Sequence, residues 1–452
     1  MRDLILAVFL FGSVPFILWR PAVGVFLWVW VSVMNPHRMG WGFAYDYSFA
    51  QLIAIATLVG MLFSNEPKRL PVTPVTAVLF MLVLWMNVTT LFALDFDQAL
   101  PMWEKVMKIQ LMGFVSLYIL HSKQHVQVLI WVVAGSVAFF GIKGGLFTLQ
   151  GGGEDRVWGP PGSFIEENNA LALATLMTIP LLYFLFLQIT KRWMRWGLLA
   201  AMVLCGFSAL GSHSRGAFLA ITAIIGFLWW KSHRKLVTGF VLAMLVPVAI
   251  GFMPEKWEER MLSIQNYEQD ASAMGRINAW KMAVNLANDR PLVGGGFEIY
   301  NERVFGSYAP DPGDVHAAHS IYFQMLGEHG YVGLMLFLLL WILVWRDASW
   351  IIKHSRSQRE LQWALDLARM TQMSLVGYAV GGAFLSLAYY DVPYYLLIAL
   401  VLTRLLVEKE IKGLEQKEGA PVRLQVNIAK GGEERAVART IVDPQMNPDK
   451  RG

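Results

Sequence analysis

The sequence has little charge and a single cysteine. Only 16% of its 452 residues are charged, whereas a soluble domain carries about 25%. The lone thiol, Cys205, cannot form an intramolecular disulfide, and it belongs to no Cys-x-x-Cys or Cys/His zinc pattern. We expect it to be a buried core residue. The net charge of +5 is small and dispersed, which argues against nucleic-acid binding.

Several motifs of soluble enzymes are missing too. The sequence has no glycine-rich phosphate loop followed by Lys-Ser or Lys-Thr, and no nucleophile elbow with its Ser-His-Asp triad. His-Glu-x-x-His and aspartate-rich metal motifs are absent as well. These absences argue against an ATP-driven or metal-dependent enzyme, and we expect neither a metal nor a cofactor.

Hydrophobic residues make up 56% of the chain and fall into blocks long enough to cross a bilayer core, which takes about 20 helical residues. The first block is broken at Trp19-Arg20-Pro21, so it predicts one kinked span or two short ones. It has no small-residue cleavage site, and we expect a retained span rather than a signal peptide. The pattern predicts an all-α polytopic membrane protein of about 12 spans, or 13 if the first block is two. The blocks cover residues 4–34, 48–63, 72–93, 105–120, 126–148, 169–190, 196–212, 214–230, 236–253, 318–345, 371–388 and 392–408.

Positive charge in the short loops predicts the orientation of these spans. Basic loops alternate with loops that are not basic, so all the basic loops and the C-terminal tail can face the cytoplasm. A long segment then lies outside, because long loops translocate regardless of charge. The predicted organisation is transmembrane helices with short loops over 1–253, an outer helical segment over 254–317, further transmembrane helices over 318–408, and a mobile cytoplasmic tail over 409–452.

The outer segment contains one clear helical pattern. GRINAWKMAVNLAND predicts an amphipathic helix that ends before the following proline. Ile277, Trp280, Val284 and Ala287 lie at helical spacing and are expected to form its apolar face. The next run, LVGGGFEIY, predicts a turn that another backbone can approach closely.

Two arginines are candidates for binding an anion. Arg215 sits in the short turn GSHSRG between two spans, crowded by Ser212, His213 and Ser214. Its guanidinium stays charged and can bind phosphate oxygens through two parallel hydrogen bonds, or it can extend to lipid headgroups. Arg276, in the first turn of the amphipathic helix, is either a second anion ligand or a solvated charge.

His316 and His319 share a helix face if the late span begins before them. His319 is a candidate general base, because an unperturbed histidine pKa of about 6.5 suits proton abstraction near neutral pH. Two other interpretations stay open: Asp314, His316 and His319 bind a metal, or they cap the helix. Glu328, about two to three turns deeper, can orient His319 or Arg215, or be a buried structural residue.

Further polar candidates lie in the outer loops or near the outer ends of spans. Cations at that depth can bind a lipid diphosphate or extend to the headgroups. A loop shaped by glycine and proline adds an arginine and an asparagine, and the asparagine can instead cap the helix that follows. These candidates for substrate binding are Lys105, Lys108, Lys143, Arg156 and Asn169.

Three pieces of the chain, in order, resemble the O-antigen ligase superfamily. They are SRGAFL at Ser214–Leu219, GRINAWKMA…RPLVGGGFEIY at Gly275–Tyr300, and HSIYFQMLGEHGYVG at His319–Gly333. Each piece alone is a weak signal, whereas the ordered set is specific for the superfamily. The motif order matches over roughly Arg156 to Gly333, and the many-span topology matches over most of the chain.

The resemblance implies a fold similar to that of the C-type glycosyltransferases. It implies an enzyme of the bacterial inner membrane that moves a glycan from undecaprenyl diphosphate to an acceptor at the periplasmic face. The transfer is expected to invert the sugar's configuration and to need neither metal nor ATP. The family's two arginines fall on Arg215 and Arg276, and its essential histidine falls on His319.

The resemblance leaves the acceptor open. The N-terminal run WRPAVGVFLWVWVSVMNPHRMGWGFAYDYSFAQ resembles a ligase branch associated with exosortase systems. Lipid A–core is the expected acceptor, which implies a role in lipopolysaccharide biosynthesis. Protein O-oligosaccharyltransferase and polysaccharide polymerase activities are the alternatives within the superfamily. A secondary transporter is the alternative from another class, disfavoured because the unusual polar residues gather towards one face of the membrane.

The missing ligand motifs generate a first prediction. A site of arginines and one histidine carries its charge stabilisation in its own side chains, so glycan transfer by the purified protein should be unchanged in excess EDTA. The measurement is product formation with and without chelator. Loss of transfer that one divalent ion restores would assign Asp314, His316 and His319 to a metal site instead.

Overall fold

The computed structural model describes residues 1–232, 234–251 and 271–418, with isolated residues between 253 and 261. Over those residues the chain is all-α, as predicted, and contains no strand. Met1–Glu410 form one compact unit, and a second unit starts at Ile411. The predicted tail lies outside the described residues from 419 onward. The helices are α1 (Arg2–Trp19), α2 (Pro21–Met34), α3 (Phe49–Phe63), α4 (Pro74–Leu91), α5 (Phe96–Ile119), α6 (Lys123–Gln150), α7 (Asn168–Gln188), α8 (Arg192–Leu210), α9 (Arg215–Lys231), α10 (Lys235–Gly251), α11 (Ala271–Asp289), α12 (Glu302–Tyr308), α13 (Ile321–Ser355), α14 (Gln362–Gly381) and α15 (Asp391–Glu418).

The first apolar block is two helices. Arg20 between them has an extended backbone, and Pro21 occupies the first position of α2, where a missing N–H does no harm. Six helices in the described part of the chain are long and apolar enough to cross a membrane, namely α1, α4, α6, α7, α8 and α13. The chain is therefore a helical membrane protein, and the total of 12 spans stays a prediction.

Helix α7 lies at the centre of the helix packing. It contacts α6, α8, α9 and α14, and 78% of the residues in its most apolar stretch are buried. Glycines bring α6 and α8 close, because a Cβ on Gly145 would lie 2.1 Å from the carbonyl oxygen of Leu204. Small residues at such interfaces are how membrane helices pack tightly. Cys205 faces the same contact at Gly141 and is buried, as predicted.

The predicted span 371–388 is wrong at both ends. Helix α14 begins earlier, at Gln362, and ends at Gly381, after which a 3-10 turn (Gly382–Phe384) leads into a non-helical stretch. The Gly381-Gly382 pair explains the early end, since glycine is a poor helix former and a common C-terminal residue. The short connection predicted between the blocks 371–388 and 392–408 is thus a longer segment, Gly382–Tyr390, here called the 382–390 segment.

The amphipathic helix of the outer segment exists as α11, which ends before Pro291 as predicted. Its buried face is rotated from the predicted one, because Ile277, Trp280 and Val284 are only half-buried. The buried side chains instead pack on α13 and on a small core with Ile299 and Phe305. The buried residues are Gly275, Asn278, Ala279, Met282, Ala283, Leu286 and Ala287.

The glycine-rich run after α11 meets α13 backbone to backbone, as its composition predicts. The N–H groups of Gly295 and Gly296 donate to the carbonyls of Gly327 and Glu328, both at 2.9 Å. Helix α13 is broken at Gly330, whose φ of 68° and ψ of −171° lie in a region essentially restricted to glycine. A Cβ on Gly330 would lie 2.4 Å from the carbonyl oxygen of Leu292.

This fit generates a stability prediction. Gly330→Ala should destabilise the protein by at least about 1–3 kcal/mol, because strain of that order adds to the clash with Leu292. The matched control is Gly135→Ala in α6, where a Cβ meets nothing within 4 Å and helix propensity favours alanine. Thermal unfolding in detergent measures both. Equal stability of the two variants would mean that the break in α13 is not constrained.

Candidate functional site

The two histidines, His316 and His319, lie in a non-helical segment and not on a helix. Residues 314–320 are non-helical and α13 begins only at Ile321, so the predicted common helix face does not exist. Helix α11 holds this segment instead. The Asn278 amide donates to the carbonyls of Asp311 and Asp314 at 2.8 and 3.0 Å, and the Trp280 indole donates to the Ala318 carbonyl at 2.7 Å.

His319 is fixed through its own backbone. Its φ of 42° is left-handed, a conformation uncommon outside glycine and concentrated at functional sites. Its N–H donates to the Ser386 hydroxyl in the 382–390 segment, at 3.0 Å. The ring is half-buried. Burial, followed by the charges of Arg276 and His316, lowers the pKa of His319 to about 4, so the imidazole is neutral at physiological pH.

His316 brings α11 against the same segment. Its Nδ1 lies 2.9 Å from Oδ1 of Asp314. Its ring covers Gly275, where a Cβ would come within 2.7 Å of Nδ1. This close approach places Arg276, the next residue of α11, within electrostatic reach of His319. The structure thus brings together the second predicted arginine and the predicted base.

The turn that carries Arg215 is held by buried polar side chains. The Ser214 hydroxyl accepts from the Ala217 N–H and caps α9. His213, at a φ of 55°, places Nε2 at 2.7 Å from the Gly153 carbonyl. The Asn168 amide donates to the Ser212 carbonyl at 2.6 Å. These bonds fix the start of α9, and with it the half-buried Arg215.

Arg215 and His319 flank the 382–390 segment. A Cβ on Gly216, the neighbour of Arg215, would lie 3.2 Å from Cβ of Phe384. Ser386, two residues after Phe384, receives the backbone N–H of His319. The 382–390 segment thus approaches both the start of α9, which carries Arg215, and the backbone of His319, 104 positions later in the sequence.

Glu328 takes part in a separate buried network. Its carboxylate accepts a short hydrogen bond from the Tyr389 hydroxyl, not a bond from His319 or Arg215, the two partners considered for it. The same hydroxyl lies 2.7 Å from Nε2 of His329, and Nδ1 of His329 lies 2.7 Å from the Thr89 hydroxyl. The network fastens the 382–390 segment to α13 and α4.

The two candidate lysines of α5 line a cavity of about 340 Å³, here called the polar cavity, which is bounded by α2, α3 and α5. The ammonium of Lys105 lies 3.9 Å from the ring centroid of Phe164. Lys108 forms a salt bridge with Glu104 one turn earlier. Two further lining residues are Tyr390, the last residue of the 382–390 segment, and Asp391, the first residue of α15.

The remaining candidates are less constrained. Arg156 and Lys143 are exposed, and Asn169 is half-buried. Asn169 does not cap α7, because the helix already starts at Asn168. The asparagine that makes the structural contact is thus Asn168. Whether Arg156, Lys143 and Asn169 touch a substrate stays a prediction.

Sequence reasoning missed the residues that position the site. Trp280 was assigned to the apolar face of α11 by period alone, and Asn278 was not singled out, although this buried asparagine makes three hydrogen bonds to the backbone of a distant segment. Ser386 lay in a block treated as continuous helix, and Tyr389 lay directly after that block. The run SLAYYDVPYY carries a usable signal, since its serine, aspartate and proline interrupt an otherwise apolar stretch.

Over the described ranges, no three His, Cys, Asp or Glu side chains are arranged to hold a metal ion. His316 and Asp314 contact each other, and the carboxylate of Glu328 is bonded to Tyr389. The independence of the reaction from metal remains the prediction made above.

Fold and site together define a multi-pass helical membrane protein with a neutral histidine close to Arg276 and with the start of α9, which carries Arg215, near the same 382–390 segment. The model of the O-antigen ligase family matches residues 200–338, which include all three resembling pieces. Residues 200–338 thus carry a domain of the O-antigen ligase superfamily, whose members are ligases and polymerases. A second model, a family of unknown function (DUF5935), matches residues 1–190. No curated protein matches the chain.

The lowered pKa of His319 generates a prediction about pH. The neutral, proton-accepting form of a base with a pKa of about 4 is lost only as the pH falls through that value. An ordinary histidine loses it at about 6.5. The acid limb of kcat/KM, which reports the free enzyme, should therefore lie near pH 4. The acid limb of kcat should lie higher, because a bound diphosphate offsets the charge of Arg276. An acid limb of kcat/KM near pH 6.5 would contradict the site geometry.

Proposed function

We propose that the protein transfers a glycan from undecaprenyl diphosphate to lipid A–core at the periplasmic face of the bacterial inner membrane. The observation that carries this proposal is the neutral His319, held on the 382–390 segment with Arg276 close to it, while the start of α9, which carries Arg215, approaches the same segment. A neutral imidazole next to fixed cations suits a reaction in which a hydroxyl loses a proton and a diphosphate leaves.

The proposed reaction is a single displacement. His319 takes the proton of an acceptor hydroxyl while that oxygen attacks the anomeric carbon of the donor sugar. The bond from the anomeric carbon to the phosphate oxygen breaks, and its electron pair stays on undecaprenyl diphosphate. The protonated imidazole then releases its proton to water. Attack from the face opposite the leaving group inverts the anomeric configuration.

Arg215 and Arg276 are proposed to hold the diphosphate. Guanidinium groups bind phosphate oxygens through two parallel hydrogen bonds and keep their charge at any working pH. Fixed cations at the leaving group stabilise the charge that develops as the bond breaks, without needing to reorganise. The proximity of Arg276 to His319 also keeps the base neutral until the anionic donor arrives.

Substitution of the histidines tests the assignment of the base. His319→Ala should reduce kcat by at least about 10²-fold, within the range for loss of a general base, with donor binding retained. His316→Ala should have a milder effect, because that ring mainly packs on Gly275 and contacts Asp314. Transfer by reconstituted variants is the measurement. Unchanged activity of His319→Ala would remove the base from the mechanism.

Arg215→Lys tests the diphosphate contact. The substitution keeps the charge and loses the two-pronged geometry, so the barrier should rise by roughly 2–4 kcal/mol, the scale of one lost charge-stabilising donor. Arg192→Lys at the exposed start of α8 is the matched control, because it makes the same exchange away from the candidate residues. Near-normal turnover of Arg215→Lys would indicate a headgroup anchor.

A further inference from the structure

A groove runs between α4 and α5 and has no role in the proposed chemistry. Its volume is about 730 Å³, and its walls are almost entirely apolar, with Ala77, Phe80, Val83, Leu111 and Phe114 along its length. On α4 it extends from Thr76 to Asn87, which is about 16 Å at the helical rise. That length is about half of a hydrocarbon core of about 30 Å, so the groove spans about one leaflet.

One end of the groove is polar and borders the polar cavity, because Glu104 and Lys108 line both. At this end Asn87 accepts a hydrogen bond from the Trp103 indole at 3.0 Å. An apolar groove that borders a polar cavity fits an amphiphile, with its chain in the groove and its head in the cavity.

The lining of the polar cavity suits uncharged sugar hydroxyls. Amide, hydroxyl and carboxylate groups provide donors and acceptors, and aromatic rings provide flat apolar surface. The charges balance, since Arg38, Lys105 and Lys108 face three carboxylates and Arg38 lies 3.4 Å from Asp46. A diphosphate needs a surplus of positive charge, which this lining does not offer. The other lining groups used here are Trp28, Asn35, Tyr47, Gln51, Glu104, Tyr390 and Asp391.

The polar cavity adjoins the candidate active site through the 382–390 segment. Ser386 in that segment bonds to His319, while Tyr390, four residues on, lines the cavity. The predicted base and arginines belong to the O-antigen ligase match at 200–338, whereas the groove lies wholly within the other match at 1–190. The groove and the candidate catalytic residues thus lie in different family matches.

We infer that the groove and the polar cavity together bind a lipid-anchored sugar acceptor, with one acyl chain in the groove and its terminal sugars in the cavity. The inference rests on the proposed function, which assigns the donor diphosphate to Arg215 and Arg276. It makes the acceptor a glycolipid and not a protein. The acceptor hydroxyl then reaches His319 along the 382–390 segment.

The undecaprenyl chain of the donor is the competing occupant of the groove. Two observations favour the acceptor. The groove length matches an acyl chain anchored in one leaflet, whereas an undecaprenyl chain is much longer. The junction between groove and cavity also holds Lys108 already paired with Glu104, which leaves no free cation there for a diphosphate.

A matched pair of substitutions on α4 tests the groove. Val83 lines it, whereas the next residue, Leu84, is 54% exposed and does not. Val83→Trp should raise the KM for lipid A–core at least tenfold and leave the KM for the donor unchanged, and Leu84→Trp should change neither. Ala77→Phe provides a second blocked groove if Val83→Trp folds poorly.

A second pair of substitutions tests the cavity. Gln51 on α3 lines it, whereas Ile55, one turn further, is 54% exposed and does not. Gln51→Trp should also raise the KM for lipid A–core, and Ile55→Trp should not. Lipid A–core with a diazirine in an acyl chain should cross-link to α4 and α5 in nanodiscs, and Val83→Trp should abolish that labelling.

The outcomes separate this inference from the proposed function. A rise in the donor KM in Val83→Trp would place the undecaprenyl chain in the groove and overturn the inference. Unchanged KM values with transfer intact, or transfer only to a protein acceptor, would overturn it too. If no glycan transfer occurs with any acceptor, the proposed function fails, and cross-linking still decides whether the groove binds the glycolipid. Equal labelling by a diazirine phospholipid would show a bulk-lipid surface only.

Discussion

Backbone-to-backbone contact between the glycine-rich run Gly294–Gly296 and α13 fixes where α11 meets the helix bundle. The contact requires the break at Gly330, because an uninterrupted helix with side chains there would push the run away. The Tyr331 N–H donates to the Pro291 carbonyl on the far side of the break. These contacts hold the end of α11 at a fixed position along α13. Side chains of α11 in turn hold the segment that contains His319.

The 382–390 segment joins this arrangement to the rest of the bundle. It touches His319 through Ser386, the start of α9 through Phe384, and the buried Glu328 network through Tyr389. Residues in left-handed conformations recur around it, since His319 and His213 both have positive φ. Strain of this kind persists where surrounding contacts fix the backbone, as they do at active sites.

Much of the fold is readable from the sequence because lipid imposes a simple rule: apolar blocks of sufficient length become helices. The Arg20-Pro21 break and the close approach at Gly294–Gly296 follow from the properties of proline and glycine. The buried face of α11 could not be predicted from the sequence. Asn278 is buried because it bonds to the backbone of a distant segment, and helical periodicity does not reveal such a contact. His319 was identified by its family motif, whereas its pKa depends on Arg276 and burial, which only the fold supplies.

The central claim is that an acceptor hydroxyl, deprotonated by His319, displaces the diphosphate in one step. The anomeric configuration of the product tests this most directly. Purified protein, an undecaprenyl-diphosphate glycan of known configuration and lipid A–core should yield a product whose new linkage is read by NMR. We expect an inverted linkage. A retained linkage would contradict the proposal, because a single displacement from the face opposite the leaving group inverts the anomeric carbon.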